Sequence, residues 1–167
     1  NGFSTFFNLQ KTNGKVRYNF KNYIESDEYD INDMGFLYQN NEINNEFNIS
    51  YNIFSQDDPI AQYIKIKKGN INIGVEQKML YQPLEYNELI LKASTYFLNQ
   101  NHLFLSFKSR YFFEEINWFE SRINNQPFIK PPALKLTLTT SSNFNKPISL
   151  NTTISCNYRF TEAYNIW

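Results

Sequence analysis

Over residues 133–160 the sequence alternates almost without a break between apolar and polar side chains. Leu134, Leu136 and Leu138 interleave with Lys135, Thr137 and Thr139. After residues 142–147, Ile148, Leu150, Ile154, Cys156, Tyr158 and Phe160 interleave with Ser149, Asn151, Thr153, Ser155, Asn157 and Arg159. A period of two puts each set on its own face of a pleated strand, so the stretch predicts a long β-hairpin. Its second arm outruns the roughly 5–6 residues of an ordinary globular strand. It reaches the roughly 9–11 residues that cross a bilayer at a tilt. A barrel wall, with lipid on one face and a polar interior on the other, accounts for both the length and the alternation.

The same pattern runs through the rest of the chain. Phe3, Phe7 and Leu9 share a parity and lead to Asn13-Gly14, a strong hairpin signal because both residues tolerate positive φ. Val16, Tyr18, Phe20 and Ile24 then alternate with Lys15, Arg17, Asn19, Lys21 and Tyr23. An acidic segment over residues 26–35 precedes a strand from about Asn41, with Phe47, Ile49, Tyr51 and Ile53 on one parity and Glu46, Asn48, Ser50 and Asn52 on the other. Gln56-Asp57-Asp58-Pro59 reads as a compact turn before a strand over residues 63–77. There the apolar parity flips, from Ile64 and Ile66 to Ile71, Ile73 and Val75, which predicts a bulge near Gly69 or, alternatively, a hairpin at Lys68-Gly69-Asn70. Gln82-Pro83-Leu84 interrupts the ladder. Leu89, Leu91, Ala93, Thr95 and Phe97 mark the next strand, and Leu103, Leu105, Phe107 and Tyr111 follow the turn at Asn99-Gln100-Asn101. Residues 114–132 form a long aromatic and polar excursion in which residues 116–122 suit a helical turn.

With the bulge reading, about eight strands alternate between short connections (at Asn13-Gly14 and over residues 56–59, 99–101 and 142–146) and long ones (over residues 26–40, 78–86 and 114–132). Outer-membrane barrels sort their loops in this way, with the long ones outside. The strand charges Lys92, Lys108, Arg110, Lys135 and Arg159 all fall on the parity opposite the apolar one. A soluble sandwich would segregate charge in the same way, so strand length and loop asymmetry favour the barrel. Tyr29, Tyr81, Tyr86, Tyr111, Trp118, Phe119, Phe144, Tyr158 and Phe160 fall near the expected strand ends, where aromatic girdles sit.

Composition narrows the partners. The 167 residues carry no net charge and 18% aromatic side chains, and no basic run provides the footprint of a nucleic-acid binder. No apolar run approaches the roughly 18 residues of a membrane-crossing helix. Negative mean hydropathy beside so many aromatic residues fits strands that are each only half apolar. The single cysteine, Cys156, cannot form an internal disulfide and, on the apolar parity, reads as a small hydrophobe. The chain opens Asn1-Gly2-Phe3, with neither Met nor leader, and is expected to be a mature or partial form of an exported protein.

Few residues suggest chemistry. Asp27, Glu28, Asp30 and Asp33 could offer oxygens to Ca²⁺, but they lack EF-hand spacing, and a solvated acidic loop is the simpler reading. Glu114 and Glu115 are adjacent and would point oppositely on a strand, so they do not form an acid–base pair. His102 has no zinc-ligand partner nearby in sequence. Asn48-Ile49-Ser50 matches a glycosylation sequon but falls inside a strand. No phosphate loop or nucleophile elbow is present, so no cofactor and no catalysis are expected.

Asp30-Ile31-Asn32-Asp33-Met34-Gly35-Phe36-Leu37, followed by Asn40-Asn41-Glu42-Ile43, resembles a family of Bacteroidota outer-membrane proteins. In that family a carbohydrate-binding-like β-sandwich precedes a C-terminal β-barrel domain of unknown function. Phe128-Ile129-Lys130-Pro131 and Asn145-Lys146-Pro147 look like a recurrent pair in that barrel, where arginine is more usual at the position of Lys130. The sandwich is absent here and the chain is shorter than the family's barrel region, so the resemblance implies missing strands. Trp167 is similar to the terminal aromatic of complete barrels, which keeps a closed small barrel open as a reading.

The sequence thus predicts one all-β domain over residues 1–167, an antiparallel up-and-down transmembrane β-barrel or an incomplete portion of a larger one. The expected role is a non-catalytic outer-membrane scaffold, glycan-associated surface protein or passive channel. Its partners would be outer-membrane lipid, a glycan, or another outer-membrane protein such as assembly machinery. The competing reading is a soluble, secreted β-sandwich that binds carbohydrate.

Overall fold

In the computed structural model, residues 2–29, 40–54, 58–118, 126–143 and 146–160 are described. They form β1 (Ser4–Lys11), β2 (Val16–Glu25), β3 (Glu42–Ile53), α1 (Pro59–Ile64), β4 (Ile66–Leu80), β5 (Tyr86–Asn99), β6 (Phe104–Phe112), β7 (Glu115–Asn117), β8 (Phe128–Lys130), β9 (Ala133–Ser141) and β10 (Asn151–Arg159). Eight strands make one antiparallel sheet in the order β1-β2-β3-β4-β5-β6-β9-β10, and β7 and β8 form a separate pair. The fold is all-β and antiparallel, as the alternation predicts. Among the described residues the sheet is not closed: β1 and β10 are its two edges.

Register turns the local alternation into two continuous faces. Leu9, Phe20, Phe47, Val75, Leu91, Tyr111, Leu134 and Tyr158 stand opposite one another in succession, so one row crosses all eight strands with no polar interruption beyond two tyrosine hydroxyls. The adjoining row on this face reads Lys11, Tyr18, Ile49, Ile73, Ala93, Ser109, Leu136 and Cys156. Lys11, on an edge strand, is the one charge among the paired residues of this face. On the other face, Gln10, Asn19, Asn48, Gly74, Lys92, Arg110, Lys135 and Asn157 form a row with no apolar side chain.

Burial is reversed relative to a water-soluble domain. On the apolar face Ile73 is 58% and Leu91 46% exposed. On the polar face the side chains of Glu76 and Lys92 are only 16% and 23% exposed. The sheet therefore curls around its polar face and presents its leucines, isoleucines and phenylalanines outward. The one cluster of buried apolar residues sits at the margin of the apolar face, where Ala61 of α1 packs with Ile53 and Ile66 beside Tyr51 and Phe97.

That margin is held by Asp58. Its carboxylate accepts hydrogen bonds from Lys15 Nζ (2.7 Å), Tyr51 Oη (2.8 Å) and the Ile60 N–H (3.1 Å), so one inaccessible side chain caps α1 and ties it to the β1–β2 turn and to β3. The Lys15 ammonium, helped by Tyr51 and Ile60 and opposed by burial, holds the Asp58 carboxyl below its usual range. The folded state gains from this at every pH above the unfolded value of about 4 and loses the gain as pH falls through the lower folded value. Acid titration of Asp58→Asn, followed by thermal melting, is expected to show a lower melting temperature near neutrality and a shallower decline below about pH 4 than the unsubstituted protein.

Several local expectations are corrected. No strand starts at Tyr63: Asp58 caps α1, which contains Tyr63 and Ile64, and β4 begins at Ile66, while Gln56 and Asp57 of the expected turn lie outside the described residues. The parity flip is a bulge near Gly69, as expected, and not the alternative hairpin; it lies between Ile66 and Lys68. Gly69 is required for a different reason. A Cβ there would meet Phe97 Cδ1 at 2.7 Å and the Tyr96 carbonyl oxygen at 2.9 Å. Gly69→Ala is expected to destabilise the sheet by roughly 1–2 kcal/mol through overpacking, measurable by denaturant unfolding.

At Asn13-Gly14 only Gly14 has positive φ, and the connection spans residues 12–15. Ile116 pairs with Ile129 in the β7–β8 ladder and so does not begin a helical turn; residues 119–122 of that expectation lie outside the described residues. The strand after the last turn starts at Asn151, not Ile148. These changes weaken the loop sorting. Connections at one end cover residues 12–15, 54–65, 100–103 and 142–150, and those at the other cover residues 26–41, 81–85 and 113–132. The expected long connection over residues 78–86 is in fact short, because Lys78, Met79 and Leu80 continue the ladder.

Candidate functional site

The chemistry-bearing side chains lie on the polar face, and the carboxylates of the eight-stranded sheet are confined to one half of it. Glu25, Glu42, Glu46, Glu76 and Glu88 belong to β2, β3, β4 and β5; β6, β9 and β10 carry Lys108, Arg110, Lys135 and Arg159 and no carboxylate. On the acidic side the charges are zipped together. Lys92 on β5 bonds to Glu76 on β4 and reaches Glu46 on β3 at 3.2 Å, and Lys21 on β2 approaches the same Glu46 at 3.3 Å. Lys78 lies 3.5 Å from Glu88 and 4.0 Å from Glu76. Four adjacent strands are thus cross-linked by ion pairs across residues far apart in sequence. One amide pair extends the lattice, Asn70 donating to Asn52 at 2.9 Å; a second, Asn22 donating to Asn45 at 2.8 Å, lies on the opposite face, in the row of Phe7 and Leu89.

At the end carrying the β7–β8 hairpin, a cleft of about 260 Å³ is lined by Glu88, Glu115, Lys130, Lys135 and Arg159, among others. Glu115 is already paired with Lys130 at 3.0 Å, and Tyr86 Oη donates to the Glu114 carbonyl oxygen at 2.7 Å. Lys130 therefore has a structural role, pinning β7 to β8, and Pro131 lines the same cleft. Lys146 and Pro147 lie apart from it, in the bend that leads to β10, where the Lys146 N–H donates to the Asn143 carbonyl oxygen at 3.3 Å.

The proposed Ca²⁺ ligands are only partly placed. Asp27 and Glu28 occupy the turn after β2, where the Asp27 carbonyl oxygen accepts from Asn40 Nδ2 at 2.6 Å; Asp30 and Asp33 lie outside the described residues, as do Asn32, Gly35, Phe36 and Leu37. Among the described residues, no group of three or more His, Cys, Asp or Glu is arranged to hold a metal ion. His102 sits in the β5–β6 turn at φ +60°, beside a cleft formed with Leu98, Phe104 and Ser141. Cys156 is a free thiol, exposed on the apolar face.

Sequence reasoning missed Asn41. At φ +61° its side chain accepts from the Gln82 N–H (2.7 Å) and donates to the Gln82 carbonyl oxygen (2.8 Å), clamping two neighbouring loops. An asparagine just before a strand is the residue most able to adopt that backbone, which was the available signal.

A family described as Domain of unknown function (DUF5916) matches residues 1–167. The chain belongs to the DUF5916 family. No curated protein and no solved structure matches the sequence. In this DUF5916 chain the conspicuous features are therefore its two faces: one apolar and outward, the other charged, with an ion-pair lattice over β2–β5 and exposed cations without carboxylates on β6, β9 and β10.

Proposed function

We propose that this DUF5916 chain forms the wall of an outer-membrane β-barrel, of the Bacteroidota type its sequence resembles, and acts there as a non-catalytic scaffold or passive channel. The observation that carries the reading is the outward apolar face, whose paired residues include a single charge, Lys11 on an edge strand. In water a continuous apolar face is an aggregation hazard, because monomers rarely expose contiguous apolar patches beyond a few hundred Å². In lipid it is the required solvent-facing surface. The strands that carry it, β3 over Glu42–Ile53 and β5 over Tyr86–Asn99, are long enough to cross at a tilt. Phe113 and Phe160, just beyond the ends of β6 and β10, stand in the place of an interfacial girdle and pack edge-on against Tyr111 and Tyr158, with ring centroids 4.9 Å apart in each pair.

The open edges favour a further element of this reading. An unpaired strand edge in hydrocarbon leaves each orphaned backbone group at a cost of several kcal/mol. In a membrane β1 and β10 are therefore paired, with each other or with strands supplied by a longer chain or by another outer-membrane protein.

Purification of the native protein tests the reading. A particle that needs detergent and migrates differently on gels before and after boiling, with a closed barrel visible by electron cryo-microscopy, is expected. A detergent-independent monomer whose apolar face is covered by a second sheet would refute it and leave the carbohydrate-binding sandwich.

A further inference from the structure

The basic half of the polar face has no internal explanation. Lys92, Arg110 and Lys135 stand opposite one another on three successive strands, β5, β6 and β9. Lys92 is neutralised from its other side by Glu76 and Glu46. Arg110 and Lys135 directly face each other, and like charges so placed across an antiparallel pair are destabilising. Lys108, two residues before Arg110 on β6, faces Thr137; Arg159 on β10 faces Ala133, so it lies diagonal to Lys135 on the same face. All four of Lys108, Arg110, Lys135 and Arg159 are exposed, and no ion pair among the described residues includes any of them. The nearest carboxylates at the hairpin end, Glu88 and Glu115, are held by Lys78 and Lys130. Two clefts meet here and share Lys135: one of about 230 Å³ lined by Lys108, Arg110, Lys135 and Thr137, and one of about 260 Å³ that includes Arg159.

We propose that this strip of β6, β9 and β10 is a binding site for a compact multivalent oxyanion of the phosphate or sulfate class. Arg110 and Lys135 form its centre, with Lys108 and Arg159 at either end. The guanidinium of Arg110 offers a planar fork that matches two oxygens of such a group, and the lysines add mobile point charges. Four cations gathered along two clefts that share Lys135 give the strip a positive potential, so an anion entering it relieves the Arg110–Lys135 repulsion as it binds. The site lies on the face opposite the leucine rows, which assigns it a dissolved anion. It stands whether the apolar face meets lipid or a protein.

Titration calorimetry of the full native protein with inorganic pyrophosphate at low ionic strength tests the site. Saturable binding that weakens with added salt is expected. The double variant R110Q/K135Q is expected to bind at least about tenfold more weakly, a change of ~1.4 kcal/mol. K68Q, a change to a polar-face lysine outside the strip, should bind like the unsubstituted protein. Because the double variant removes a like-charge pair, its unliganded melting temperature should be unchanged or higher, which separates lost binding from lost folding. Undiminished pyrophosphate binding by R110Q/K135Q, equal weakening by K68Q, or no saturable binding to the unsubstituted protein would each overturn the proposal.

Discussion

Leu91→Arg is expected to destabilise the protein in a bilayer by roughly 2–4 kcal/mol, the cost of a cation on the lipid face near the midplane of a barrel strand. Leu91 occupies the centre of the apolar row on β5, between Val75 and Tyr111, and is already 46% exposed. Were that face in water, the same change would replace one partly solvated side chain with another and would move stability by no more than about 0.5 kcal/mol. The two environments thus differ severalfold in a single measurement. Asn72→Arg supplies the control. Asn72 lies on the polar face of the neighbouring strand β4, opposite Ser50 and Ser94, where an added cation meets hydroxyl groups and no like charge directly across the sheet. Urea titration of refolding into lipid vesicles is expected to place Leu91→Arg well below the unsubstituted protein and Asn72→Arg close to it.

Lys92→Met is expected to cost roughly 2–3 kcal/mol, between the small worth of an exposed pair and the 3–5 kcal/mol of a buried one that loses a partner. Lys92 is the one cation that contacts both Glu46 and Glu76, so its removal leaves two shielded carboxylates on adjacent strands facing each other directly. Glu76→Gln added to Lys92→Met should recover part of the loss by removing that repulsion, and a double-mutant cycle in urea would measure the coupling. Additive effects of the two substitutions would show that Lys92 and Glu76 are not coupled.

Much of the fold was legible because a period of two is a local signal. Phe47, Ile49, Tyr51 and Ile53 announce one face of β3 from their spacing alone, and the structure places them together. What the alternation did not contain was register. Lys92 and Glu46 are 46 positions apart and meet only because β3, β4 and β5 pair as they do, so their ion pair could not be read in advance. Tertiary context also set the place of the bulge: the parity change from Ile66 to Ile71 marks a break somewhere between them, and packing of Ile66 under α1 decides where. The helix was misread even though Asp58 followed by Pro59 is a helix-start signal, because the same pair also initiates turns and only six residues follow it in helix. At Ile116 the error ran the other way, with pairing to Ile129 imposing a strand on residues whose local pattern suited a helical turn.

A labelling scan along β4 in lipid vesicles, on a Cys156→Ser background, tests which solvent the apolar face meets. Spin labels placed singly at residues 70–76 would be read for collision with oxygen, which concentrates in lipid, and with a water-soluble nickel chelate. Positions 71, 73 and 75, on the apolar face, are expected to favour oxygen, and positions 70, 72 and 76 the chelate, in strict alternation. Chelate access at positions 71, 73 and 75 equal to that at their neighbours would contradict a lipid-facing wall.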